Sequence, residues 1–223
     1  YQLVAGLARL EKYQFPFQTN ATTRIYFARA ATLESGTKRE DMLAVSGANL
    51  DRAAAARLAK DPALNAQLHT TCVTTMLKAG HAENALPQRA QATVQCRIMP
   101  GVNPETIHKT IVKVLANPGI NVIVARQRTA APESPPTPAL LKTVEQNVHS
   151  MWPGVIVMPN MAAGASDCTY VRNAGIPCYG ISGGWEDIHD IRAHGRDERR
   201  EIGAFYESVE FMYRLLKDIS KGG

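Results

Sequence analysis

Apolar residues recur at helical spacing from the first position of the chain. Leu3, Leu7 and Leu10 fall on one stripe with Val4 and Ala8 beside it, which predicts a helix. No Ser, Thr, Asp or Asn stands ahead of Tyr1 to cap it, and an uncapped start reads as the interior of a longer polypeptide. Phe15-Pro16-Phe17 breaks the pattern, and Asn20 is placed to cap a second helix running to about Ala31. A polar connection, Glu34 to Lys38, leads into alanine-rich segments. There Asn49 or Asp51 starts one helix (Ala53 to Leu58), and Asp61-Pro62 starts another by the cap-then-proline signature.

The period then changes. Thr70 to Leu77 is β-branched and strand-like, and Arg89 to Ile98 alternates Ala90, Ala92, Val94, Cys96 and Ile98 on one face. Asn103-Pro104-Glu105 opens a helix with Ile107, Ile111, Val114 and Leu115 inward, Pro118-Gly119 stops it, and Ile120 to Ala125 reads as a further strand. Helix, two strands, helix, strand is the βαββαβ order of a ferredoxin-like domain without its first strand, which would lie just before Tyr1. Ala130 to Pro138 carries four prolines and reads as a linker. Beyond it the rhythm is α/β: a helix from Thr137-Pro138, a short strand at Val155 to Met158, a short helix at Ser166 to Asn173, and a strand at Pro177 to Ile181. The last helix spans about Glu198 to Ile219, with Ile202, Phe205, Val209, Met212, Leu216 and Ile219 as its inner stripe. Two such strands cannot close a sheet, so this portion reads as half of a larger α/β domain.

Composition narrows the classes. With 45% hydrophobic and 20% charged residues the 223-residue chain is of globular type, which excludes disorder. No apolar run approaches the roughly 18 residues of a bilayer span. Lys plus Arg (25) less Asp plus Glu (20) leaves +5, spread along the chain rather than clustered, which suits a pocket for acidic substrates better than a nucleic-acid stripe. An RNA-binding ferredoxin-like domain is set aside too, because the two predicted strands carry no Phe, Tyr or Trp to stack on bases. Cys72, Cys96, Cys168 and Cys178 form no CxxC pair and sit in apolar contexts, which predicts buried thiols and leaves the compartment open.

Three patches place polar groups where neither strand nor helix logic asks for them. Asn84 stands in the predicted turn between the two strands, a position that plain turn geometry also explains. Arg97 follows it at the end of an otherwise apolar strand, where a guanidinium can grip a carboxylate with two bonds or serve a surface ion pair. Ala163-Gly164-Ala165-Ser166-Asp167 leads small residues into a helix start, either to present backbone amides to an anion or simply as a capped glycine turn. In Ala193-His194-Gly195-Arg196-Asp197-Glu198 an imidazole sits on a glycine-flanked loop before the last helix, as a metal ligand or as plain surface. His189, near Asp187 and Asp190, lacks the one-face helical spacing of a His-x-x-x-His zinc site.

Taken in order, Thr71-Cys72-Val73-Thr74-Thr75-Met76-Leu77, Asn84-Ala85-Leu86-Pro87, Cys96-Arg97-Ile98-Met99-Pro100-Gly101, Gly164-Ala165-Ser166-Asp167, Gly175-Ile176-Pro177 and His194-Gly195 with Asp197-Glu198 resemble one family. It is the zinc-dependent peptidase and aminoacylase family of succinyl-diaminopimelate desuccinylase, acetylornithine deacetylase and the glutamate carboxypeptidases. The resemblance runs over essentially the whole chain, and its opening is similar to the bacterial carboxypeptidase-like branch. It implies an α/β protein in which a ferredoxin-like lid used for dimerisation, residues 1–128, joins the C-terminal half of an α/β zinc-hydrolase domain, residues 129–223.

The same resemblance implies site roles. His194 corresponds to the last zinc ligand; Asn84 and Arg97 correspond to lid residues reaching the reaction centre and a substrate carboxylate, often in the partner subunit; Gly164 and Ala165 correspond to the loop whose amides help hold that carboxylate. The implied reaction is water attack on the amide carbonyl of a peptide or N-acyl amino acid, with two zinc ions activating the water, a glutamate as general base and lid donors on the oxyanion. The expected partners are a small substrate and a second copy of the chain, with no nucleic acid and no membrane. The family's other zinc ligands, its catalytic glutamate and a Gly-Gly-His-Ser histidine have no counterpart in these residues; His69 and His81 stand in the wrong motifs to replace them. The chain alone is therefore expected to bind zinc weakly and to hydrolyse nothing. The other class consistent with these residues is a non-catalytic dimerisation or binding module on the same fold.

Overall fold

The computed structural model describes residues 1–125, 130–162, 164–187 and 189–221. The chain divides into two compact units, Tyr1–Ser134 with Asn160–Pro177, and Pro135–Pro159 with Cys178–Gly223.

The first unit opens with α1 (Gln2–Lys12), followed by α2 (Ala21–Ala30) with a 3-10 turn at Ala31–Leu33, α3 (Gly36–Ser46), α4 (Arg52–Leu58) and α5 (Pro62–Leu68). Caps read from sequence are in place. Asn20 forms a reciprocal capping box with Thr23, and the carboxylates of Asp51 and Asp61 accept from backbone amides of α4 and α5. α3 begins inside the stretch expected to be a connection, because Gly36 takes φ +58 and turns the chain into the helix at once. α2 packs on α3 and α3 on α4. Phe27, Met42, Val45, Ala54, Ala55 and Leu58 are buried in this helical portion. Asp41 is buried there as well, and Arg57 grips it with two nitrogens at 2.6 and 2.9 Å, so the carboxylate keeps its charge partner.

β1 (Thr71–Ala79) and β2 (Ala90–Arg97) form an antiparallel pair, the only sheet among the described residues, and α6 (Pro104–Leu115) follows. The register runs from Thr71 opposite Arg97 to Ala79 opposite Ala90, with a bulge between Thr74 and Met76. Alternation sends Cys72, Val94 and Cys96 inward onto a core of Leu10, Phe15, Ile107, Ile111 and Leu115, between the pair and α1 and α6. α1 and α6 approach closely at Gly6, where a Cβ would stand 3.2 Å from Leu115 Cδ2 and 2.8 Å from Cδ1 of Ile120 beyond the helix. Arg9 of α1 donates to the carbonyls of Val114 and Leu115 at the C-terminal end of α6, a favourable place for a cation.

The distal half of the β pair runs beyond this core. Leu77 and Met76 are both two-thirds exposed there, although they point to opposite faces. The predicted strand at Ile120 to Ala125 is not one. Ile120 and Val122 pack on the core as the pattern requires, but the segment has no ladder partner among the described residues. An apolar run records burial; pairing needs a neighbour.

Two corrections concern the cysteines. Cys72 and Cys96 face each other in register and are joined as a disulfide. Cys168 and Cys178 are disulfide-bonded too, so no described cysteine is a thiol. Residue spacing concealed the first bridge because the partners are brought together by strand register, 24 residues apart.

The short helix α8 (Cys168–Asn173) belongs to the first unit. The second is built on α7 (Pro138–Met151) and α9 (Ile202–Lys221), which pack together. Thr137 caps α7 by accepting from the Leu140 amide at 3.2 Å. Val144, Phe211 and Leu215 are the buried centre, with Trp152, Val157, Ile181 and Met212 against them. Val155 to Met158 and Pro177 to Ile181 are not strands, for the same want of a partner among the described residues. The inner stripe of α9 is also corrected. Ala204, Phe211 and Leu215 are buried, whereas Ile202, Phe205, Val209, Leu216 and Ile219 are exposed. The helix is apolar over more than one face, so periodicity alone offered two stripes, and packing against α7 selects the other one.

Candidate functional site

Asn84 lies in the ten-residue connection between β1 and β2 and is exposed, beyond the distal end of the pair. Arg97 is the last residue of β2, also exposed, on the face opposite the Cys96 side chain and across from Thr71. They stand towards opposite ends of β2, whose eight residues, rising roughly 3.3 Å each, span about 23 Å from first to last. One chain does not bring these two side chains onto the same small molecule.

Gly164 sits in a bend with nothing within 4 Å of where a Cβ would be, and Ala165 is exposed beside it. Ala163, expected in the same patch, lies outside the described residues. The Ser166 carbonyl accepts from the Thr169 amide at 3.1 Å, and Asp167 stands at the N-terminus of α8 without a side-chain cap bond. The run just before this bend is fixed to the helical portion of the same unit. Gln67 Nε2 donates to Asn160 Oδ1 at 2.7 Å and to the Met161 carbonyl at 2.8 Å, while Asn20 Nδ2 reaches Met161 Sδ at 3.6 Å.

In the second unit His194 occupies the left-handed region at φ +65, which a β-carbon disfavours and which surrounding bonds must hold. The turn is closed on both sides. Gly195 N donates to the Arg192 carbonyl at 3.0 Å, Arg192 pairs with Asp190 and Asp197, and Arg199 adds a second cation to Asp190 at 2.7 Å. Arg192 and then Arg199 hold the Asp190 carboxyl below its ordinary range, and Asp190 and Asp197 raise Arg192 in return. The imidazole is thereby presented outward from a clipped turn. Nothing assembles a metal centre around it: among the described residues no group of three His, Cys, Asp or Glu side chains is placed to hold a cation. A catalytic zinc takes three protein ligands plus an open position, so these residues do not fit a zinc ion by themselves.

One cluster has no counterpart in the sequence reading. The indole N–H groups of Trp152 and Trp185 both donate to Glu207 Oε2, at 2.9 and 2.7 Å. This ties the segment leading towards His194 to the side of α9. The only hint was that both tryptophans of the chain flank glycine-containing turns.

The model of the peptidase dimerisation domain of the M20 family matches residues 4–122, more than half of the chain. The chain belongs to the M20 peptidase family. A probable carboxypeptidase S-like 2 of Dictyostelium discoideum is 26% identical over 166 residues, covering 74% of this chain and 32% of that protein. The human N-fatty-acyl-amino acid synthase/hydrolase PM20D1 is 28% identical over 163 residues, covering 71% and 32%. A probable carboxypeptidase S-like 1 of D. discoideum is 24% identical over 161 residues, covering 70% and 33%. The chain thus spans about a third of the length of the curated relatives it matches. No solved structure matches it. Mixed helix with a small antiparallel pair is the architecture expected of the M20 lid, and the family resemblance drawn from the motifs holds.

Proposed function

We propose that this chain is part of an M20 hydrolase that cleaves the amide bond of a peptide or N-acyl amino acid bearing a free carboxylate and works as a homodimer. Residues 1–128 act as the lid and dimerisation domain, and residues 129–223 as the C-terminal half of the catalytic domain. The observation that carries the reading is the family match over residues 4–122. The carboxypeptidase and N-acyl-amino acid hydrolase names of its relatives support the substrate class. Arg97 grips the substrate carboxylate, Asn84 donates to the developing oxyanion, and the Gly164 and Ala165 amides assist with the carboxylate. Because Asn84 and Arg97 stand at opposite ends of β2, each is assigned to a different active site of the dimer.

Zinc is the proposed metal, as two ions. His194 is one ligand, the other donors being supplied by residues of the whole protein outside this chain. The chain by itself binds zinc weakly and hydrolyses nothing.

The test is made on the whole protein, by light scattering, metal analysis and hydrolysis of an N-acyl amino acid alongside its carboxyl-blocked amide. A dimer that cleaves only the free acid, loses metal stoichiometry on His194→Ala and has its KM raised about tenfold or more by Arg97→Ala supports the reading. A dimer with no hydrolysis of any such amide overturns it and leaves the non-catalytic module.

A further inference from the structure

The connection at the distal end of the β pair does more than carry Asn84. Lys78, Gly80, His81, Gln88, Arg89 and Gln91 line a concavity of about 330 Å³, formed entirely from this one hairpin. Its lining thus includes two residues with cationic side chains, a histidine and two glutamines, and no carboxylate residue. Glu83, two positions beyond His81, is not among the walls. The turn that folds Lys78 and His81 around one rim depends on Gly80, whose φ of +74 an ordinary residue avoids.

Several other cations on the described surface already have a counter-charge. Lys38 is paired with Glu34 at 2.6 Å, Arg57 with Asp41 at 2.6 Å, Arg199 with Asp190 at 2.7 Å and Arg214 with Glu210 at 2.6 Å. The side chains of Lys78, His81 and Arg89 make no ion pair or hydrogen bond among the described residues, although Lys78 pairs with Gln91 through the strand ladder. Bringing like charges to one rim without a counter-charge is unfavourable, and an anion that spans them relieves it. A single negative charge leaves one cation uncompensated. A planar guanidinium fork beside an ammonium matches an oxyanion with two charges and several acceptor oxygens, and the glutamine amides can donate to those remaining.

We propose that this hairpin tip is a binding site for a small dianionic oxyanion, either a phosphoryl group or two neighbouring carboxylates. The site is separate from Arg97, which lies at the other end of β2. It stands whether or not the chain is part of a hydrolase. Its walls are exposed, so binding is of modest strength and weakens with salt.

The experiment is a two-dimensional amide NMR titration of the chain at constant low ionic strength with inorganic phosphate, succinate and acetate. Saturable shifts confined to residues 78–91, with phosphate or succinate binding about tenfold tighter than acetate, are expected. Phosphate as the tighter ligand identifies a phosphoryl site, and succinate a dicarboxylate site. Arg89→Gln, and independently Lys78→Gln, should each weaken that binding about tenfold, whereas Arg97→Gln should not. Acetate binding as well as the dianions, shifts spread over every basic surface, or titrations unchanged by both tip variants would overturn the proposal. Because all variants are at exposed positions, unchanged β1–β2 amide shifts serve as the check on folding.

Discussion

Cys72 and Cys96 stand directly opposite on β1 and β2 and are covalently joined, one rung from the Thr71–Arg97 pair that ends the ladder. The bridge therefore closes the proximal end of a two-stranded arm whose distal half lacks helical backing. A pair of strands with so little packing beneath it is marginal in water, and a cross-link closing a loop of this length stabilises a fold by about 2–4 kcal/mol, mainly by restricting the unfolded chain. Cys72→Ser with Cys96→Ser should lower unfolding stability in urea by that amount. Hydrogen exchange should quicken along residues 71–97 before it does in α3 and α4. Equal protection of the arm with and without the bridge would show that α1 and α6 suffice to hold it.

Phe211 fills the centre of the second unit at 1% exposure, with the Trp152 ring 5.7 Å away. Phe211→Ala should cost about 3–5 kcal/mol through lost burial and the cavity left behind. Gly183 lies against the same ring: it holds φ +60, and a methyl group there would overlap Phe211. Gly183→Ala should destabilise by at least about 1 kcal/mol in the natural background. With Phe211→Ala already present the added cost should shrink, since the overlap with the ring goes and only the close approach to Cβ of residue 211, at 2.7 Å, and the backbone strain remain. Strict additivity in a urea double-mutant cycle would contradict this contact.

Much of the architecture was legible because local chemistry dictates it. Asn20, Asp51, Asp61, Asn103 and Thr137 each cap the helix that follows, and the alternation from Ala90 to Cys96 marks a strand with one buried face. What failed needed a second partner to be known. Ile120 to Ala125 has a strand's apolar pattern but no adjacent edge among the described residues, and the exposed stripe of α9 is as regular as the buried one. The Cys72–Cys96 bridge follows from register, which turn length alone did not reveal. For the site, residue types and order pointed to a family, whereas the separation of Asn84 from Arg97 emerges only once the strand between them is laid out. The Arg192–Asp197 clip around His194 was illegible for a similar reason: it depends on a left-handed turn at a residue that rarely adopts one.

That clip carries a pH dependence with a definite sign. Asp190 faces Arg192 and Arg199, and Asp197 faces Arg192, with the His194 turn between them. Since the Asp190 carboxyl is held below its usual value of 3.8, folding favours its charged form. Its contribution is complete above that usual value and is lost as pH falls through the lower, folded one. The Arg192 and Arg199 Nε–H signals, which report these pairs directly, should accordingly keep their positions down to about pH 4 and broaden or shift below it. Asp190→Asn should give the acid-like spectrum already at neutral pH. Signals that drift through the range of a free carboxyl, with Asp190→Asn silent, would show that the ion pairs do not hold.

The stretch before Gly164 depends on one buried amide. Gln67 is 7% exposed, and its Nε2 donates to both Asn160 Oδ1 and the Met161 carbonyl, while its Oε1 has no partner among the described residues. Only the nitrogen of this side chain is engaged. Gln67→Ala should cost about 1–3 kcal/mol by leaving two acceptors unsatisfied, and should raise hydrogen exchange at residues 160–167. Gln67→Glu has nearly the same shape but sets carboxylate oxygens against those acceptors and buries a charge. It should therefore be worse than alanine at neutral pH and should recover towards alanine or better as the carboxyl is protonated in acid. A purely steric role for Gln67 predicts the reverse order, with glutamate close to the natural protein at every pH, and thermal unfolding of the two variants at neutral and acid pH separates the alternatives.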